Sequence, residues 1–168
     1  MIAQIVPATA VQSEDRSDAV VVSFDSRWYD ALRTGSLSMV IRKKVPMSEQ
    51  PHWLYFHVNS PKSAICARTR ILAVEHLPTQ AVHAFVNELS LTSEEIDRYC
   101  GHLKEVGVYR LSDIELAAPE ESLAELRRRL HYSPPQNFMF LSIQAKGIVD
   151  QACAFAAEAL SVQEGEPL

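Results

Sequence analysis

The chain lacks the usual marks of several protein classes. It has three cysteines among 168 residues, Cys66, Cys100 and Cys153. They are odd in number, widely spaced and without a C-x-x-C pair, which argues against a disulfide framework or a zinc knuckle. Cys100-Gly-His102 alone is too little for a metal site. No apolar run approaches the ~20 residues needed to span a bilayer, so no membrane partner is expected. The first residues lack a basic segment followed by an apolar core and cleavage site, so the expected compartment is the cytoplasm. Excess positive charge is also missing. The net charge is −5, so a nucleic-acid site would have to be a local patch.

What remains is ordinary for a soluble globule. The length fits one domain, and such a chain can bury ~70% of the surface its unfolded form exposes. We expect a mobile leader over residues 1–18, a single domain over 19–161 that includes a C-terminal helix, and a tail over 162–168. No repeat or interdomain linker is visible, and oligomeric state is not legible.

Residues 19–24, Ala-Val-Val-Val-Ser-Phe, form a β-prone run. Asp25 or Ser26 can then cap a helix that turns Trp28, Tyr29 and Leu32 inward and ends at Gly35 in the C′ position. A strand follows, with Leu37, Met39 and Ile41 expected on one face and Ser38, Val40 and Arg42 on the other. It ends in three cations, Arg42, Lys43 and Lys44.

Residues 52–58 read as a strand with Trp53, Tyr55 and His57 on one face. Asn59-Ser-Pro61 turns the chain into a long strand over 64–77, where Arg68 and Arg70 point to the same side. Thr79 caps a helix through Leu89. Thr92-Ser-Glu-Glu95 is a capping box with Glu95 at N3. Residues 106–111 and 114–116 read as one strand, straight or bulged at Gly107. Pro119 is expected to open a helix at its first position, with Arg127, Arg128 and Arg129 in the last turn. A strand over 138–143 and a helix over 147–160 complete the chain. Strands outnumber helices and do not alternate with them. The expected class is α+β, with a mixed or antiparallel sheet closing toward a small barrel.

These segments contain an ordered set of motifs. Val21-Val-Ser-Phe-Asp-Ser-Arg-Trp-Tyr29, Ala31-Leu-Arg-Thr-Gly35 and Val40-Ile-Arg-Lys43 come first. Trp53-Leu-Tyr-Phe-His-Val-Asn-Ser-Pro-Lys62, followed by Ala64-Ile-Cys-Ala67, comes next, and Pro134-Pro-Gln-Asn-Phe138 closes the set. Together they resemble an ASCH domain over roughly residues 19–142. The resemblance implies a PUA-like β-barrel with flanking helices and a cleft that handles RNA or a nucleobase. Some members of that family resemble transcription or translation coactivators. Others are amidohydrolases acting on acetylated cytidine, and some are described as ribonucleases.

The small amidohydrolases place a lysine and a threonine where this chain has Leu37 and Val40. Neither side chain carries a nucleophilic or basic group. The expectation is therefore a binder of RNA or a nucleotide-like ligand, associated with transcription or translation, with no cofactor, no metal and no catalytic residue. The alternative is a hydrolase acting on RNA or on a modified base, built on Lys62 beside Ser60.

The expected contacts are Arg42, Lys43, Lys62 and Arg68 for phosphate, with Ser60, His57 and Gln136 near the ligand. Each has a plainer reading. The cations also suit a solvated strand end that discourages edge pairing. Trp53 and Tyr55 could stack on bases or fill the core, His57 could be structural, and the Gln136 amide could cap a turn. Arg127 to Arg129 fit dipole complementarity at a helix end.

Overall fold

The longest strand sets the architecture. The computed structural model describes residues 15–155, with the strand β4 over Ala64–Pro78 at its centre. The expected leader lies largely outside the described residues, as does the tail; the last helix, expected to reach residue 160, stops at Ala152. β4 is antiparallel to three neighbours: β3 (Trp53–Val58) and β6 (Glu115–Ser122) flank its first half, and β5 (Glu105–Leu111) pairs along its second half. β1 (Arg16–Phe24) runs parallel to β3, and β7 (Met139–Ser142) closes on β1 antiparallel. β2 (Met39–Arg42) pairs with β5. The path is β2-β5-β4-β3-β1-β7, with β6 beside β4. The class is α+β with a mixed sheet, as expected. The sheet is open: among the described residues no ladder joins β2 to β7.

Apolar runs in β1 and β3 follow from burial on both faces. Val20, Val22 and Phe24 join Leu54, Phe56 and Val58 in one core. The alternate residues Ala19, Val21 and Tyr55 join a second core. Leu126 of α5 (Leu123–Arg129) and Val149 of α6 (Ile143–Ala152) cover that second face.

A third core lies under the helical segment between β4 and β5. α2 (Thr79–Val82), a 3₁₀ turn (His83–Phe85), α3 (Val86–Leu89) and α4 (Ser93–Cys100) pack there on Met39 and Ile41 of β2. Leu37 precedes β2 instead of lying in it, and it packs with Val40 in the first core, away from Met39 and Ile41.

The local stop and start signals hold in two places. A 3₁₀ turn (Ser26–Trp28) leads into α1 (Tyr29–Thr34), and Gly35 ends α1 in the left-handed region at φ 67°. There the Cβ of any other residue would be strained. At α4, Thr92 Oγ1 accepts from Glu95 N at 3.2 Å and Glu95 Oε2 accepts from Thr92 N at 3.0 Å, which is the full capping box.

Asp25 makes no side-chain cap bond and Pro78, not Thr79, stands at the cap of α2; two further segments also differ from expectation. Pro119 does not open a helix. It lies inside β6, after the cis Ala118–Pro119 bond, and Ser122 caps α5 by accepting from Glu125 N. Pairing with β4 holds the segment extended, so tertiary context overrides a proline-first helix signal. Residues 115–116 accordingly belong to β6, with Ile114 in the connection before it, and do not continue β5. The last helix begins at Ile143, earlier than expected, because Ser142 supplies its cap by accepting from Ala145 N.

Candidate functional site

A cavity of about 750 Å³ opens where the end of β1, the strand β2, the α3–α4 segment and the loop Pro134–Gln136 meet. Its lining is apolar along Leu37, Val40 and Leu89, and aromatic at Phe24, Trp28 and Tyr99. Arg42, Arg27 and Arg98 bring positive charge to it; Asp25 and Glu95 bring negative charge. Asn59 and Gln136 add amides that can donate and accept.

Arg42 sits at the end of β2, half-buried, and its head is held from two sides. Nη1 donates to the Ile41 carbonyl at 2.8 Å and Nη2 to the Ser23 carbonyl at 2.9 Å. The guanidinium carbon stands 4.3 Å from the centroid of the Phe24 ring. The bond to Ser23 links β2 to β1, strands that are not neighbours in the sheet. Burial pulls the Arg42 pKa down, yet a guanidinium remains charged at neutral pH. Among the described residues Arg42 has no carboxylate partner within ion-pair distance. Its charge is therefore compensated by carbonyl dipoles, a π face and the nearby Tyr99 and Asp25, without a direct ion pair, and donors are left for another acceptor.

Tyr99 is positioned from the opposite wall by α4. Its hydroxyl accepts from Lys43 N at 3.2 Å, and the Lys43 ammonium lies 5.6 Å from the ring centroid. Lys43 is thus exposed beside a lining residue without lining the cavity itself. Arg27 and Glu95 form a two-pronged pair, Nη1–Oε1 at 2.7 Å and Nη2–Oε2 at 3.3 Å, joining the 3₁₀ turn to α4.

Of the residues expected from sequence, Arg42 and Gln136 reach this cavity. The others are placed elsewhere. Lys62 pairs with Glu120 at 2.6 Å and lies 4.7 Å over the Tyr29 ring. The hydrogen bond to Glu120 raises its pKa, which keeps the amine protonated and unavailable to take up a proton. Ser60 is exposed on the cis Ser60–Pro61 turn, next to the lining residue Asn59. Arg68 pairs with Glu115 at 2.6 Å and Asp150 at 3.2 Å, with its guanidinium 4.5 Å over Trp53 and 4.4 Å over Phe155.

His57 is 1% exposed and meets the Tyr132 hydroxyl at 2.9 Å. Burial, with Arg127 nearby, lowers its pKa to about 4. Tyr55 is fully buried, and its hydroxyl donates to Asp150. Trp53 is half-buried among Arg68, Arg70 and Lys146.

Arg27, Glu95, Arg98 and Tyr99 were not singled out in the sequence as site residues. Their signal was the i, i+3, i+4 spacing of Glu95, Arg98 and Tyr99, which puts them on one side of α4. Among the described residues no group of three or more His, Cys, Asp or Glu could hold a metal ion, and no helix is long and apolar enough to cross a membrane.

No family model matches the sequence, and no curated protein matches it significantly. Solved structures do match. An ASCH protein from Zymomonas mobilis superimposes with a TM-score of 0.75 at 14% identity, over 82% of this chain and 96% of that one. A point variant of the same protein gives 0.76 at 15% identity, over 83% and 99%. The fold is that of an ASCH domain. A more distant likeness joins this ASCH-fold chain to the N-terminal domain of McrB from Staphylothermus marinus, with a TM-score of 0.50 at 7% identity over 81% and 94%. At these identities the likeness concerns the fold alone. In this version of it, the positions of Leu37 and Val40 are 2% and 3% exposed and present hydrocarbon to the cavity.

Proposed function

We propose that this ASCH-fold protein binds RNA or a nucleotide-like ligand in the cavity between β2, α4 and the Pro134–Gln136 loop. The observation that carries the reading is Arg42, a half-buried cation without a carboxylate partner, oriented by two backbone carbonyls and a phenyl face at the cavity wall. Such a group gives directional donors to a phosphate or to a base edge. Trp28 and Tyr99 offer ring faces, and base stacking on such rings contributes ~1–3 kcal/mol per base. Gln136 supplies an amide that can read a base edge, and Lys43 adds charge beside Tyr99.

The same cavity supports binding better than turnover. Leu37 and Val40 bring no proton-transfer group to it, and Lys62 is engaged with Glu120. A binder of this kind would act as a transcription- or translation-associated regulator in the cytoplasm.

The test is fluorescence titration of the full chain with short single-stranded RNA at two salt concentrations. We expect salt-sensitive binding that weakens about tenfold or more in Arg42→Lys, which keeps the charge and loses the fork. Gln136→Ala should weaken it less. If Arg42→Lys and Gln136→Ala bind as tightly as the parent, the cavity is not the site.

A further inference from the structure

Besides Arg42 and Asp25, the cavity lining holds two more arginines and a second carboxylate, Glu95, in a particular arrangement. Glu95 is fixed. One of its oxygens accepts from Thr92 N, and both accept from Arg27. Arg98 lies one turn further along α4 and, with Arg27, helps to hold the Glu95 carboxylate below the usual range; the bond from Arg27 is the largest cause. Arg98 is exposed and makes no ion pair among the described residues. Arg27 is the movable partner. Its side chain is 50% exposed, whereas Glu95, pinned by the cap, is 26% exposed. The Arg27 guanidinium also lies 4.8 Å from the centroid of the Trp28 ring, a contact that is weak at an exposed site, and an exposed ion pair adds little to stability, so Arg27 can leave Glu95 at modest cost. What a carboxylate holds with two prongs, a phosphate can hold as well, because both present paired oxygens to the fork.

We infer that the rim is a phosphate site, in which Arg27 turns from Glu95 to the ligand phosphate and Arg98 supplies the second cation, so that the cavity selects phosphorylated ligands over free nucleosides. This rests on the proposed function of the same cavity and assigns the parts of the ligand. The base lies inward among Arg42, Trp28 and Tyr99, and the phosphate lies outward between Arg27 and Arg98. Glu95 occupies Arg27 when the site is empty and repels the phosphate when it is filled. Its charge therefore sets the strength of phosphate binding.

The experiment compares the four ribonucleosides with their 5′-monophosphates, by calorimetry on the full chain. The variants are Glu95→Gln, Arg27→Ala, Arg98→Ala and the double arginine variant. Glutamine at the third helical position preserves the capping box, so Glu95→Gln keeps α4 intact. At least one monophosphate is expected to bind about tenfold more tightly than its nucleoside. That ratio should fall to within about twofold when both arginines are removed. Glu95→Gln should strengthen monophosphate binding about three- to tenfold relative to nucleoside binding. Equal binding of nucleoside and monophosphate by the parent overturns the phosphate site and leaves the base-binding cavity standing. An unchanged ratio in the double arginine variant also overturns it. Absence of binding by nucleosides, monophosphates and single-stranded RNA alike overturns both readings.

Discussion

The hydroxyl of Tyr132 lies 2.9 Å from Nδ1 of His57, across 75 positions of sequence. Burial pushes the Tyr132 phenol well above its ordinary range, so it keeps the hydrogen it donates. Burial, reinforced by Arg127, lowers the His57 pKa from 6.5 to about 4, so the ring accepts that hydrogen as a neutral base. The pair ties β3 to the segment after α5.

This arrangement predicts a pH-dependent stability. The unfolded chain binds a proton at His57 near pH 6.5 and the folded chain only near pH 4. Between those values the unfolded state holds more protons, so stability falls as pH falls. The loss should reach about 2 kcal/mol by pH 5. Melting temperature followed by circular dichroism from pH 7.5 to 4.5 should drop by several degrees in the parent and flatten in His57→Gln. Equal slopes in the two proteins would remove His57 as the cause.

A second prediction concerns the back of the site. A Cβ at Gly107 would lie 2.5 and 2.6 Å from the two methyls of Val45 and 2.9 Å from the Arg42 carbonyl oxygen. Gly107→Ala should therefore destabilise the fold by ~1–3 kcal/mol through overpacking. Val45→Ala opens the space, so the double variant should be more stable than the sum of the two single losses allows. Strict additivity in urea unfolding would show that Val45 is not the obstacle. The Arg42 carbonyl is the other obstacle, so Gly107→Ala should also weaken binding in the cavity.

The third prediction lies at the Ser60–Lys62 turn. Glu120 accepts from Tyr29 at 3.2 Å and pairs with Lys62, while its second oxygen is buried without a partner. Burial opposes its charge, but the neighbouring Cys66 thiol and the Lys62 ammonium outweigh that and hold its pKa below the ordinary value. Lys62→Met removes the cation and leaves the carboxylate. A loss of about 1–2 kcal/mol is expected at pH 7, below the range for fully buried pairs because Lys62 is partly exposed. Adding Glu120→Gln should restore most of it. The deficit should also shrink as pH falls and Glu120 takes up a proton, since a neutral acid needs no cation. A deficit that stays constant down to pH 4 would mean that Lys62 acts through packing alone.

Features legible in the sequence are those that depend on near neighbours. Gly35 ends a helix because a left-handed residue is needed four positions after Ala31. Thr92 and Glu95 cap each other because they are three residues apart on a helical start. The alternation in β1 and β3 appears directly as two buried faces. Pro119 shows where this approach stops. Its local preference favours a helix start, and pairing with β4, more than fifty residues earlier, holds it in a strand. The site divides the same way. Arg42 and Gln136 could be named from the ordered motifs, whereas the Arg27–Glu95 bridge spans 68 positions and leaves no local trace.

By itself the sequence determined the α+β class, most of the strands, the Gly35 stop and the Thr92–Glu95 capping box, and the position of an arginine at the end of β2. Those depend on periodicity, on backbone stereochemistry and on hydrogen bonds within one turn, all of which act over a few residues. Only the tertiary structure decided which charges stand alone. Lys62, Arg68 and Arg42 look alike in the chain. Folding sets Glu120 against the first, Glu115 and Asp150 against the second, and carbonyls and a phenyl ring, with no carboxylate within ion-pair distance among the described residues, against the third. A cation's availability to a ligand depends on which carboxylates the fold brings within a few ångströms, and that distance is a property of the sheet's topology.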